Sequence, residues 1–271
     1  MPLKLKVYMV RLNKFITDAG YCSRREADAY IAQGRVTVNG IDAVIGSSVN
    51  EGDLVEVDGE RVGKRQKRYV YIAFNKPVGV TCTTDRTDRT NIIDFINYKE
   101  RIFPVGRLDK DSNGLIILTN NGDIVNKILR AGNNNPKEYI VSVDKPITAD
   151  FVKQMSGGVR ILGVKTKPCE VIKRNSNTFT VFLTQGLNRQ IRRMCQVLGY
   201  TVVSLKRVRV MNITLGALEV GSWRYFTQQE VAEMHSLLAS SSGTEEASKE
   251  KAFKPKKKYA DYRRQGKLKK R

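Results

Sequence analysis

The stretch Gly106-Arg107-Leu108-Asp109-Lys110-Asp111-Ser112-Asn113-Gly114-Leu115 sets a carboxylate, Asp109, inside a turn bounded by glycines. Apolar residues lead in (Ile102, Phe103, Val105) and an apolar run, 115–118, leads out. Functional groups concentrate on loops held at the surface by rigid elements, so such a turn can present a reactive carboxylate. Asp also simply favours turns, where it hydrogen-bonds its own backbone. Taken alone, the segment reads that way first, and its surroundings have to decide.

Working outward, residues 68–74 alternate in strand fashion and run into Asn75-Lys76-Pro77-Val78-Gly79, a turn punctuated by Pro and Gly. Periodicity predicts further strands at 115–118, 138–143, 179–183 and 208–213, and helices at 92–96, 124–130, 149–155, 188–198 and 228–238. Several strands follow one another with no helical crossover between them. That argues for an α+β fold with a mixed, mostly antiparallel sheet rather than a doubly wound one.

The chain has 271 residues, 41% of them hydrophobic, and a formal charge of +21, enough for a real core in one or two domains. A field so far from neutral favours polyanions, through salt-sensitive phosphate contacts that are largely blind to sequence. No apolar run approaches the roughly 18–20 residues that span a bilayer. The lysines near Met1 precede no apolar leader core, so a cytoplasmic location is expected. Cys22, Cys82, Cys169 and Cys195 are scattered, and His235 is the only histidine. This argues against a zinc finger, a His-based metal site and a Ser-His-Asp triad. Chemistry on this chain falls to carboxylates, Tyr, Lys, Arg or hydroxyls.

A smaller basic unit comes first. Leu12, Phe15, Ile16 and Ala19 recur at helical spacing, which predicts a helix over 11–19. Ser23 and Glu26 have the spacing of a capping box opening a second helix through Ile31, with Arg24 and Arg25 in its first turn. Val36 and Val38 alternate ahead of Asn39-Gly40, a strong hairpin signal, and a short strand at 54–57 ends in Asp58-Gly59. Any one arginine here would simply solvate a helical face. Together, Arg11-Leu12-Asn13-Lys14, Gly20, Ser23-Arg24-Arg25-Glu26-Ala27, Ile31, Gly34-Arg35-Val36 and Val38-Asn39-Gly40 resemble the S4 RNA-binding module. The resemblance implies a small α/β domain whose Arg11, Lys14, Arg24, Arg25 and Arg35 meet structured RNA, chiefly through backbone and shape. The expected organisation is an extension over 1–9, this domain with a basic linker over 10–67, and a larger domain over 68–239.

Two more constellations accompany the Asp109 turn. Lys137-Glu138-Tyr139 opens a strand after the polar loop 132–136, where a tyrosine usually fills the core with its hydroxyl bonded. In Gly186-Leu187-Asn188-Arg189-Gln190-Ile191-Arg192-Arg193-Met194-Cys195, a helix would align Ile191, Met194, Cys195 and Leu198 as an apolar stripe. Arg189, Arg192, Arg193 and Gln196 would form a separate polar stripe. A basic face of this kind normally touches phosphate or solvent. Taken in order, these three segments resemble the motifs of the RsuA-type pseudouridine synthases, and with the front module the likeness covers residues 10–235 or so. Segments 125–133 and 186–188 look closest to the branch that modifies large-subunit ribosomal RNA.

The resemblance implies an isomerase that detaches uracil from C1′ and rejoins it through C5, with no cofactor or metal required. It implies Asp109 as the catalytic carboxylate and Arg192 as the guanidinium that favours its ionised form. It places Tyr139 against the uracil, where it stacks and serves the C5 proton, and Ile191 beside the base. Whether the carboxylate attacks C1′ or the base, or helps form a glycal, the sequence leaves open. The target must be flipped from its stack at a cost of a few kcal/mol, and Arg107 is placed to fill the vacated space or hold a phosphate. Arg189 and Arg193 are expected to contact RNA, and Asp111 to shape the loop. The expected partner of a monomeric enzyme is 23S ribosomal RNA, with a tRNA as second candidate. Residues 240–271 hold 12 Lys/Arg against 4 Asp/Glu, a net +8, and are expected to be a disordered RNA-binding arm.

Overall fold

Short-range signals set the elements of the first unit almost residue by residue. The computed structural model describes residues 9–63, 68–239 and 241. The expected N-terminal extension (Met9 apart), the centre of the basic linker and nearly all of the basic arm lie outside the described residues. The chain divides into two compact units, Met1–Arg68 and Tyr69–Arg271. In the first, β1 (Val10–Arg11) and α1 (Leu12–Asp18) precede α2 (Arg24–Ala32). There follow β2 (Val36–Val38), β3 (Ile41–Asp42), β4 (Ser48–Val49), β5 (Val55–Val57) and β6 (Glu60–Arg61). The capping box of α2 forms in full: the Ser23 hydroxyl accepts from the Glu26 N–H, and the Ser23 N–H donates to the Glu26 carboxylate at 2.6 Å. Asn39-Gly40 and Asp58-Gly59 each take positive φ at both positions, as a type I′ hairpin turn demands. They build an antiparallel sheet in the order β3-β2-β5-β6. Leu12, Ile16, Ala27 and Ile31 from the helices share a core with Val36, Val55 and Val57.

The second unit contains β7 (Tyr71–Lys76), α3 (Ile92–Ile96), β8 (Phe103–Val105), β9 (Asn113–Thr119), α4 (Asp123–Leu129), β10 (Lys137–Val143) and α5 (Ala149–Ser156). A small hairpin, β11 (Arg160–Ile161) and β12 (Val164–Lys165), leads to β13 (Glu170–Lys173), β14 (Thr178–Leu183) and α6 (Gln190–Val197). The unit ends with β15 (Val202–Val210), β16 (Ile213–Thr214), β17 (Trp223–Tyr225) and α7 (Gln228–Leu238). One sheet runs β13-β14-β10-β15-β9-β7-β17, with β8 added beside β9 and β16 beside β15. Its pairings are antiparallel except β9 with β15, which run parallel through Asn113↔Lys206 and Gly114↔Arg207. The fold is therefore α+β with a mixed, mostly antiparallel sheet. That parallel seam joins two antiparallel halves, and the Asp109 turn feeds straight into it.

Three hydrophobic clusters hold this sheet. Phe151 and Met155 of α5 and Ile191 and Met194 of α6 pack on Val141, Phe179 and Val181. Ile124 and Ile128 of α4 and Met234 and Leu238 of α7 pack on Tyr71, Ala73, Leu115 and Ile117. Ile72, Phe74, Ile116 and Leu118 meet Ile92 and Ile102 in the third. Strands β7 and β9 are thus covered on both faces, which is why they read as continuous apolar runs. Among the described residues no helix is long and apolar enough to cross a membrane.

The structure corrects three boundaries. The strand expected at 208–213 begins at Val202 and ends at Val210, where Met211, at φ 53°, turns the chain into β16. The helix expected at 188–198 begins at Gln190, because Arg189 holds a left-handed φ 48°, ψ 36° that a helix cannot continue. The strand expected at 68–74 begins at Tyr71 and runs through Asn75 and Lys76, both buried and both expected in the turn.

Candidate active site

The Asp109 turn is closed by the Ser112 N–H, which donates to the Asp109 carbonyl at 3.0 Å. Asp109 therefore occupies the first position of a β-turn, a place Asp favours, while its carboxylate points to other partners. The approach is anchored on both sides: the Leu108 N–H donates to Cys82 Sγ at 3.4 Å, and the Gly79 N–H to the Lys110 carbonyl at 2.8 Å. Close by, Lys76 is fully buried, and its Nζ donates to the carbonyls of Pro77 and Val80 at 2.8 and 2.7 Å. Burial lowers its pKa, and the charges of Cys82, Asp111 and Asp109 oppose that.

The Asp109 carboxylate meets Arg189, with Oδ2 3.7 Å from Nη1. Arg189 also grips Asp111 in a fork, Nη1 to Oδ1 at 3.1 Å and Nη2 to Oδ2 at 3.0 Å. Those bonds hold the Asp111 carboxyl below the ordinary carboxylate range. Arg192 donates through Nη2 to the Asp111 carbonyl at 2.9 Å and the Ser112 hydroxyl at 3.2 Å, and through Nη1 to the Val202 carbonyl at 3.2 Å. Its Nε lies 3.3 Å from Asp111 Oδ2. The arginine within 4.0 Å of the Asp109 carboxylate is thus Arg189, whose left-handed backbone takes it off the helix, while Arg192 bonds to the turn at Asp111 and Ser112. Asp111 pairs with both arginines.

A cleft of about 790 Å³ opens beside the turn. It gathers Arg107 and Asp109 from the turn, Tyr139 from β10, and Arg189 and Ile191 from the start of α6. Of the residues singled out in sequence, these five come together. Arg193 instead closes its own loop, with Nε to the Asn188 carbonyl at 3.2 Å. Two buried cations of the lining, Lys137 and Arg207, receive no role from the sequence. Lys137 carried a usable signal, since it lies two residues before Tyr139 and so on the same strand face. Arg207 had none, because it falls ahead of the strand expected there.

In the first unit Arg24 and Arg25 are exposed in the first turn of α2. Arg11 Nη1 donates to the Gly46 carbonyl at 2.8 Å, and Lys14 pairs with Asp18 at 2.6 Å. Arg35 Nε donates to Asp58 at 2.8 Å, with its guanidinium 4.1 Å from the centre of the Tyr30 ring.

Residues 70–197 match the family model of RNA pseudouridylate synthase, and residues 10–55 that of the S4 domain. The chain belongs to the RNA pseudouridine synthases, enzymes that isomerise uridine in RNA to pseudouridine. It is 54% identical to the dual-specificity RNA pseudouridine synthase RluF of Escherichia coli K12 over 234 residues, 86% of this chain and 81% of that protein. It is 34% identical to the ribosomal large subunit pseudouridine synthase B of Bacillus subtilis, over 84% of this chain and 97% of that one. A crystal structure of a pseudouridylate synthase matches with a TM-score of 0.62 at 27% identity, covering 83% of this chain and 99% of its own.

Proposed function

We propose that this enzyme flips a uridine of ribosomal RNA into the cleft and isomerises it with Asp109 as the catalytic carboxylate. Large-subunit 23S RNA is the main substrate and a tRNA the second. The observation that carries this reading is one cavity of about 790 Å³ shared by Arg107, Asp109, Tyr139, Arg189 and Ile191. That volume lies within the range of small-molecule sites, roughly 300–1,000 Å³, and suits a single extruded nucleotide. Tyr139 offers a ring to stack on the uracil, and Ile191 an apolar wall beside it. Arg189 supplies a counter-charge to Asp109, and Arg192 with Asp111 keeps the turn in register. The exposed Arg107 fills the space the base vacates or holds the neighbouring phosphate. Kinship with the dual-specificity enzyme of Escherichia and the large-subunit enzyme of Bacillus supports the substrate assignment.

The S4-like domain, 10–67, holds structured RNA through Arg24 and Arg25, and the net +8 of residues 240–271 adds sequence-blind affinity. The catalytic domain is 68–239, and the enzyme acts as a cytoplasmic monomer. Asp109→Asn is expected to bind RNA like the wild type and to form no pseudouridine; product from that variant would overturn the assignment. Mapping pseudouridines in ribosomal RNA and tRNA from cells lacking the protein tests the substrates, and an unchanged map in both would refute them.

A further inference from the structure

Lys137 is a buried cation that the roles above leave without a task. It opens β10 two residues before Tyr139, so both side chains leave one face of the strand, and both line the cleft with Asp109. Only 6% of Lys137 is exposed, and its one hydrogen-bond acceptor among the described residues is the Asn135 carbonyl, at a long 3.4 Å. On neighbouring β15, Arg207 also lines the cleft, is 4% exposed, and donates Nε to the Leu115 carbonyl at 2.7 Å. Among the described residues neither cation is paired with a carboxylate within 4.0 Å. A buried charge without a counter-charge is costly. Two of them on one cavity wall make physical sense if the negative charge arrives with the substrate.

We propose that the Lys137 ammonium, backed by Arg207, donates to a uracil carbonyl oxygen and balances the negative charge of the base while it is detached from the ribose. When C1′–N1 breaks, its electron pair stays with the uracil, spread over N1 and the two carbonyl oxygens. Lys137 donates a hydrogen bond to one of those oxygens and keeps its proton. C5 then supplies the pair for the new bond to C1′, C5 loses its proton and N1 takes one up. Substrate and product therefore hold the same atoms and electrons. The charge exists on the base only between the two bond changes, so the interaction strengthens on the way to the transition state, which raises turnover rather than binding. Burial, and then the charge of Arg207, pulls Lys137 down to about 8, so the ammonium form prevails at neutral pH and is lost above it.

The inference rests on the Asp109 cleft being the active site, and its test separates the two. In the full-length enzyme with its RNA substrate, Lys137→Met should lower the single-turnover rate about 100-fold, as the loss of one charge-stabilising donor does. RNA affinity should stay near wild type. The thermal midpoint should hold or rise, since an unpaired buried charge is removed. At limiting RNA the wild-type rate should fall as pH rises through about 8, and this alkaline limb should vanish in the variant. A variant that keeps its rate, keeps the alkaline limb, or loses thermal midpoint together with rate overturns the proposal. So does a wild-type rate that stays flat through that pH. Product from Asp109→Asn would overturn the active-site reading itself; an inactive Asp109→Asn beside a fully active Lys137→Met would overturn only the role of Lys137.

Discussion

The first unit and the cleft are both rich in cations, and they hold them in opposite ways. Arg24 and Arg25 of the first unit are exposed, and Arg11, Lys14 and Arg35 reach acceptors of their own neighbourhood, Gly46, Asp18 and Asp58. Around the cleft Lys76, Lys137 and Arg207 are buried, and the Arg192 side chain is only 14% exposed. Exposed charges are screened by water and salt, so they contribute little singly and act additively on a polyanion. A buried charge interacts far more strongly with whatever approaches it, so it can fix a turn or stabilise a charge that forms during reaction. Depth, more than the number of basic residues, divides holding RNA from acting on it.

The contrast breaks most severely at the seam. Gly114 has φ +104°, and a Cβ there would lie 2.2 Å from the Arg207 carbonyl oxygen and 2.7 Å from its nitrogen. The obstacle on the other strand is backbone, which cannot step aside. Gly114→Ala should cost on the order of 3–5 kcal/mol, among the largest effects a point change has. Calorimetry should show a midpoint lower by roughly 10 °C. An unchanged midpoint would mean that β9 and β15 can part without loss, and that the buried cations need no such frame.

A smaller effect tests the turn. Asp111→Asn keeps the shape and removes the charge that Arg189 and Arg192 share. The Arg189 fork should loosen, while Arg192 keeps its bonds to the Asp111 and Val202 carbonyls and the Ser112 hydroxyl. Misplacing the proposed catalytic turn by about 1 Å costs on the order of 100-fold in rate. A loss of roughly 10- to 100-fold is therefore expected, with RNA affinity intact. Equal losses in rate and affinity would place Asp111 among the binding residues. The acid side has a defined sign. The folded-state pKa of Asp111 is lowered by Arg189, so its stabilisation is present above the ordinary carboxylate range and is lost only as pH falls through the lowered value. The Asn variant should lack that acid dependence, and because the side chain is 47% exposed the difference should be small.

The legible parts share one property: their signals are contiguous in the chain. The Ser23–Glu26 box, the Asn39-Gly40 and Asp58-Gly59 hairpins, the Asp109 turn and Tyr139 each depend on residues a few positions apart. Which arginine faces Asp109 was not legible, because it depends on a left-handed backbone at Arg189 that helical periodicity does not encode. The first half of β15 was hidden by Lys206 and Arg207, polar residues placed there by the cleft and the seam. The parallel pairing itself joins Asn113 to Lys206 across the length of the domain, and nothing local announces it. Lys137 stood in plain view at strand spacing from Tyr139, yet a lysine in a basic protein reads as surface until its depth is known.

The gentlest test lies within the first unit, between arginines of identical chemistry. Arg24 and Arg25 are exposed on the first turn of α2, whereas Arg35 is committed to Asp58 and to the Tyr30 ring. Replacing Arg24 and Arg25 together by Ala should weaken RNA binding severalfold. It should also reduce the dependence of log affinity on log salt by about 0.7–0.9 for each phosphate no longer neutralised. The rate at saturating RNA should not move, since the cleft is lined by residues of the second unit. Arg35→Ala should leave the salt dependence unchanged and lower the thermal midpoint slightly, because its guanidinium joins parts of its own unit. Should Arg35→Ala flatten the salt dependence as much as the double change does, then engagement with a carboxylate on the chain does not remove an exposed arginine from the RNA interface. Depth would then separate surface from interior, and would not sort the surface cations among themselves.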